Sequence, residues 1–141
     1  IADAESTYDE PWRVQFSKQD ATRFDYWRRM EFSADQWKGL ADHAYEKKID
    51  FLSSPFSVKA VEILSKFSMP LWKIASGEIY NPEILDAVFK TKKSILLSSG
   101  MSDFDEVAKV LDQAKRLEID YGVLQCTSEY PCPPESWGLN T

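Results

Sequence analysis

Four short apolar runs, each ending in Ser, Thr or Lys and leading into a polar loop, set the rhythm of the chain. They are Phe51-Leu-Ser-Ser-Pro-Phe-Ser57, Lys73-Ile-Ala-Ser-Gly-Glu-Ile-Tyr-Asn81, Ser94-Ile-Leu-Leu-Ser-Ser-Gly-Met-Ser102 and Tyr121-Gly-Val-Leu-Gln-Cys-Thr-Ser-Glu-Tyr-Pro131. Strands are predicted over 50–54, 71–76, 94–99 and 121–127. Between them the apolar residues recur at helical spacing. Ser57 is placed to cap a helix that turns Ala60, Val61, Leu64 and Phe67 inward. Asn81-Pro82 starts the next, since Asn caps well and Pro suits the first helical position, with Ile84, Leu85, Val88 and Phe89 as its buried stripe. Ser102-Asp-Phe-Asp105 opens a third, with Phe104, Val107, Val110, Leu111 and Ala114 inward. Upstream, Ser33-Ala-Asp-Gln36 has the form of a capping box ahead of a helix carrying Trp37, Leu40, Ala41 and Ala44 on one face. A shorter helix is predicted over 22–29. Residues 1–20 read as a polar loop with Pro11 and Trp12 as its fixed points. The tail Pro131-Cys-Pro-Pro-Glu-Ser-Trp is expected to hold no regular structure, because its three prolines remove donors and fix φ.

A helix followed by three strand–helix units and a fourth strand predicts an α/β fold with a parallel sheet and helices outside. The strands are nearly continuous in apolar residues, the pattern of strands buried on both faces. Four such strands make a small open sheet or part of a (β/α)8 barrel. A complete barrel takes about 250 residues, and this chain has 141.

Composition narrows the partners. A formal net charge of −6 leaves no basic footprint for nucleic acid, and no apolar run approaches a membrane span. Neither the basic flank nor the apolar stretch of a signal peptide opens the sequence. With two cysteines, Cys126 and Cys132, there is no disulfide framework, and a reduced, cytoplasmic protein is expected. The absence of an initiating Met suits a piece of a longer protein.

Polar groups at successive strand ends are where α/β enzymes build their sites. Lys73 falls within an apolar strand, where a lone ammonium is costly unless an anion meets it. The plainer alternative turns it outward to pair with Glu78. Ser76-Gly77 and Ser98-Ser99-Gly100 place hydroxyls and backbone N–H groups directly before helices, a geometry that suits phosphate but that simple turns share. Cys126 and Cys132, six residues apart, match no metal spacing and read as inert thiols. His43, the one histidine, reads as a surface residue.

Four ordered motifs now carry a resemblance: Phe51-Leu-Ser-Ser-Pro-Phe-Ser, Lys73-Ile-Ala-Ser-Gly-Glu, Leu97-Ser-Ser-Gly-Met-Ser and Gln125-Cys-Thr-Ser-Glu-Tyr-Pro. From about Phe24 onward the chain resembles the sialic acid synthase family, which includes the N-acetylneuraminate, legionaminic and pseudaminic acid synthases. The resemblance implies one incomplete domain over residues 1–141, strands three to six of a (β/α)8 TIM barrel. It implies condensation of phosphoenolpyruvate with an N-acetylated amino sugar in the full-length parent, with release of phosphate. A divalent metal, Mn2+ or Mg2+, would assist, and the parent is expected to be a homodimer.

Position by position, Lys73 and Ser76 look like phosphoenolpyruvate ligands on the fourth barrel strand, and Ser98 like the hydroxyl meeting the same anion from the fifth. Lys73 and Glu78, the acidic residue after Ser-Gly, are the candidate catalytic residues. Ser54 stands where the family usually has Thr, and Ser128 where it often has Asn; both keep a hydrogen-bonding group. Tyr130, and the loop from Gln15 to Thr22, should lie near the amino sugar. The family's first two strands would precede Ile1. Its metal histidines and C-terminal antifreeze-like domain would follow Thr141, so no metal ligand is expected here. Two other readings compete: a Schiff-base lyase of the class I aldolase kind using Lys73, and a non-enzymatic fragment that binds an anion or assembles with another chain.

Overall fold

The computed structural model describes residues 11, 12, 15, 17–129 and 131–138. Its helices are α1 (Arg23–Met30), α2 (Ala34–Glu46), α3 (Val58–Leu64), α4 (Pro82–Lys90) and α5 (Phe104–Arg116), and its strands β1 (Leu71–Ile74), β2 (Ser94–Ser98) and β3 (Tyr121–Leu124). Short 3-10 turns lie at Ser76–Glu78 and Pro134–Ser136. The second turn is more order than three prolines promised. Pro134 takes its first position, where a missing N–H costs nothing.

Local chemistry explains where the helices start. Ser33 and Gln36 form the expected capping box on α2. Thr22 and Asp25 form one on α1. Ser57 accepts from the Ala60 N–H at 3.1 Å, and Asn81 accepts from the Ile84 N–H at 3.3 Å with Pro82 behind it. On α5 the cap is Asp103 rather than Ser102, because Glu106 stands three residues on and answers it: Asp103 and Glu106 each accept the other's N–H at 2.9 Å.

Helix ends share a second device. Lys48, Lys92 and Glu118, just past α2, α4 and α5, all take left-handed φ of 56–58°. After α2 and α5 the next N–H closes the turn, Ile49 to the Ala44 carbonyl and Ile119 to the Ala114 carbonyl, each at 2.9 Å.

Among the described residues the sheet is parallel, in the order β1-β2-β3. Leu71 pairs with Ser94 through to Ile74 with Leu97, and Ile95 with Tyr121 through to Ser98 with Leu124. Trp72, Ile74, Ile95 and Leu97 point to one face, where α3, α4 and α5 cover them with Leu64, Ile84, Val88 and Ala114. The Trp72 indole donates to the Thr91 hydroxyl at 2.8 Å, and that hydroxyl donates to the Val88 carbonyl at 2.7 Å. That leaves no unmet polar atom beside the core's largest ring.

Three expectations fail here. The run over 50–54 is no strand: a strand exists only when paired, and Phe51 instead packs edge-on against Phe67 and Trp37. Burial on both faces also fails, since β1 alternates half-buried and buried positions and β3 is largely exposed. Filling the second face takes opposing strands that the described residues do not supply. Phe104, expected inward on α5, lies at the surface, and Leu40, on the apolar face of α2, is exposed as well.

Candidate functional site

Alternation along β1 decides where Lys73 goes. Trp72 and Ile74 point into the helix-covered core, so Lys73 between them projects from the open face. Its register partner is Leu96. Ser98 stands two residues further on, about 6.6 Å along the strand, within reach of a lysyl stem. The Lys73 ammonium donates to the Ser98 hydroxyl and to the Ile74 carbonyl, the latter at 3.2 Å. An ammonium has three donors, and an anion laid across these strand ends would meet the third. Burial pushes the Lys73 pKa below the usual lysine value, an effect the nearby Cys126 partly offsets.

Of the predicted residues, Lys73 and Ser98 are brought together across two strands. Ser76 follows β1 directly, half-buried at the start of its 3-10 turn. Glu78 does not pair with Lys73. Its carboxylate accepts from the Asn81 side chain at 3.1 Å and so leans on the cap of α4. Ser128 donates to the Gly100 carbonyl at 2.7 Å, joining the loop after β3 to the loop after β2. Those loops touch closely at Gly100, where a Cβ would sit 3.0 Å from that of Cys126 and would press the two apart. Ser99 reinforces the junction by donating to the Leu124 carbonyl at 3.1 Å. Ser54 lies half-buried in the extended segment before Pro55. Tyr130 lies outside the described residues, as do Val14 and Phe16 of the first loop. Among the described residues no three His, Cys, Asp or Glu side chains gather as a divalent cation would need. The donors among the described residues do not fit a metal. His43 sits on α2, 3.9 Å from Glu46.

Two clusters were not foreseen. Asp20, 8% exposed, takes a bidentate grip from Arg29 at 3.0 and 2.7 Å and a bond from the Ser17 hydroxyl. Nothing in the spacing of residues 17–29 marks it. The second joins Tyr80, in the loop after β1, to Glu106 on α5. Half of this was legible, since Asp103-Phe-Asp-Glu106 has capping-box form.

Parallel strands with helices on one face, and an ammonium and hydroxyls gathered at the strands' C-terminal ends, are the parts of a (β/α)8 barrel at which such folds build their sites. Residues 2–141 match the NeuB family. The chain belongs to that family. It is 34% identical over 128 residues to the N,N'-diacetyllegionaminic acid synthase of Campylobacter jejuni, covering 87% of this chain and 38% of that one. It is 38% identical over 112 residues to the N-acetylneuraminate-9-phosphate synthase of Mus musculus, covering 79% and 31%. The solved N-acetylneuraminic acid synthetase of Leptospira borgpetersenii superposes with a TM-score of 0.80 at 24% identity, over 96% of this chain and 45% of that one. The chain thus spans less than half the length of each of these relatives. No helix among the described residues is long and apolar enough to cross a membrane.

Proposed function

We propose that the full-length protein carrying this segment condenses phosphoenolpyruvate with an N-acetylated amino sugar, giving a sialic-type acid and phosphate. The observation that carries this reading is the Lys73–Ser98 pair, an ammonium drawn across two strand ends on the open face of a NeuB-family sheet. Phosphoenolpyruvate brings a phosphate and a carboxylate, and its C3 must be held against the sugar aldehyde while the carbon–carbon bond forms. Positioning and charge stabilisation supply most of such a catalyst's work. Lys73 is the fixed cation for one anionic group, and Ser98 orients it while keeping a hydroxyl proton to donate. Ser76, at the start of the 3-10 turn that follows β1, offers a second hydroxyl. Ser128 and Gly100 hold the next loop in place, and Glu78 acts through the α4 cap. The divalent cation of the family takes its ligands from outside the described residues.

Lys73→Ala in the full-length protein is expected to raise the KM for phosphoenolpyruvate at least about tenfold, since a charged hydrogen bond to a buried anion is worth roughly 1.5–3 kcal/mol. Steady-state phosphate release with manganese and N-acetylmannosamine measures it, and a wild-type KM would sink the assignment. A lowered lysine pKa also suits a Schiff-base nucleophile. Borohydride with pyruvate separates the two readings, because a synthase forms no trapped adduct on Lys73.

A further inference from the structure

The loop after β1 carries Ser76 and the loop after β2 follows Ser98, and one side chain spans them. Tyr80, two residues past the 3-10 turn at Ser76–Glu78, reaches to the first turn of α5. There its hydroxyl meets the Glu106 carboxylate, with the Met101 carbonyl at 3.3 Å. A phenol donates one hydrogen bond, and the charged carboxylate is the stronger acceptor, so the bond goes to Glu106. The same Glu106 oxygen accepts the Asp103 N–H at 2.9 Å, and Asp103 in turn accepts the Glu106 N–H. Glu106 is therefore held by its own helix cap before Tyr80 arrives. Ile79, 4% exposed, roots the other end in the core. The hydrogen bond to the Glu106 carboxylate raises the phenol's pKa above its ordinary value.

We propose that Tyr80 is a positioning residue which, through Glu106, ties the loop bearing Ser76 to the loop beyond Ser98 and so sets affinity for the bound anion. It touches no substrate. Its effect is on the spacing of groups that do, and the proposal rests on the functional reading above. Neither Tyr80 nor Glu106 is among the strand-end hydroxyls and the ammonium that the proposed site uses.

Tyr80→Phe keeps the ring and removes the tie. In the full-length protein it is expected to raise the KM for phosphoenolpyruvate roughly three- to tenfold. It should leave kcat within about twofold and the amino-sugar KM unchanged. Glu106→Gln preserves the helix cap, because Gln serves at that position, and should act in the same direction. The double variant should lose no more than the worse single one, as coupled residues do. A wild-type KM for phosphoenolpyruvate in Tyr80→Phe overturns the proposal, and so does an equal rise for both substrates. Lys73→Ala, assayed alongside, keeps the two ideas apart. If that variant leaves phosphoenolpyruvate kinetics untouched, the site reading has failed and amide exchange at residues 99–103 judges the tie. Faster exchange in Tyr80→Phe then supports it, and unchanged exchange refutes it.

Discussion

Asp20 shows how a single buried carboxylate is kept ionised. The Arg29 guanidinium grips both its oxygens and the Ser17 hydroxyl adds a third contact, holding its pKa at about 2 against an ordinary 3.8. A depressed carboxylate pKa stabilises the fold fully above the ordinary value, and that contribution is lost as pH falls from 3.8 through about 2. The Asp20 carboxyl carbon, followed by NMR, should therefore titrate at about 2 in the wild type and move upward in Arg29→Gln. A wild-type midpoint at the ordinary carboxylate value would show the grip to be absent in solution. Lys73 presents the opposite balance. Burial disfavours its charge, and the chain offers it the Ser98 hydroxyl and the Ile74 carbonyl rather than a carboxylate. That is the environment in which an incoming anion gains most.

Helices were the most legible elements, and their chemistry is local. Ser33, Ser57 and Asn81 each cap where expected, and Ile84, Leu85, Val88 and Phe89 bury together on α4. Asp103 displaced Ser102 on α5 because a cap is chosen with its partner three residues on. Helix ends were less visible, since left-handed residues after a helix are usually glycine and here are Lys48, Lys92 and Glu118. An L side chain in that conformation costs roughly 1–2 kcal/mol, and glycine returns part of the gain through its freer unfolded chain. Glu118→Gly is expected to raise stability by roughly 0.5–1 kcal/mol, read as a higher Tm in thermal unfolding. A lower Tm would mean that Glu118 makes a contact worth more than the strain.

At the scale of the whole molecule, the described sheet has one covered face and two open edges. β1 and β3 each present an unpaired side, and Tyr121, Val123 and Leu124 are 37–42% exposed. Such edges recruit other strands. Residues 1–141 expressed alone are accordingly expected to self-associate and to release no phosphate from phosphoenolpyruvate. Size-exclusion chromatography with light scattering, followed by the phosphate assay, checks both halves. A stable monomer with turnover would contradict the view that the face bearing Lys73 needs strands beyond these.

By itself the sequence determined the elements whose causes lie within a few residues. It marked the caps, the apolar stripes of α3 and α4, the parallel order implied by strand–helix alternation, and the motifs at strand ends. Lys73 stood out because an ammonium in an apolar strand demands an explanation. Only the tertiary structure decided what that lysine meets, since its choice between Glu78 and Ser98 depends on the register of β1 against β2. Long-range partnerships such as Asp20 with Arg29 and Tyr80 with Glu106 leave no periodic trace, because each joins positions that only folding makes neighbours. The run at 50–54 makes the same point in reverse. Apolar, extended residues state a willingness to pair, and pairing itself belongs to the neighbour across the ladder.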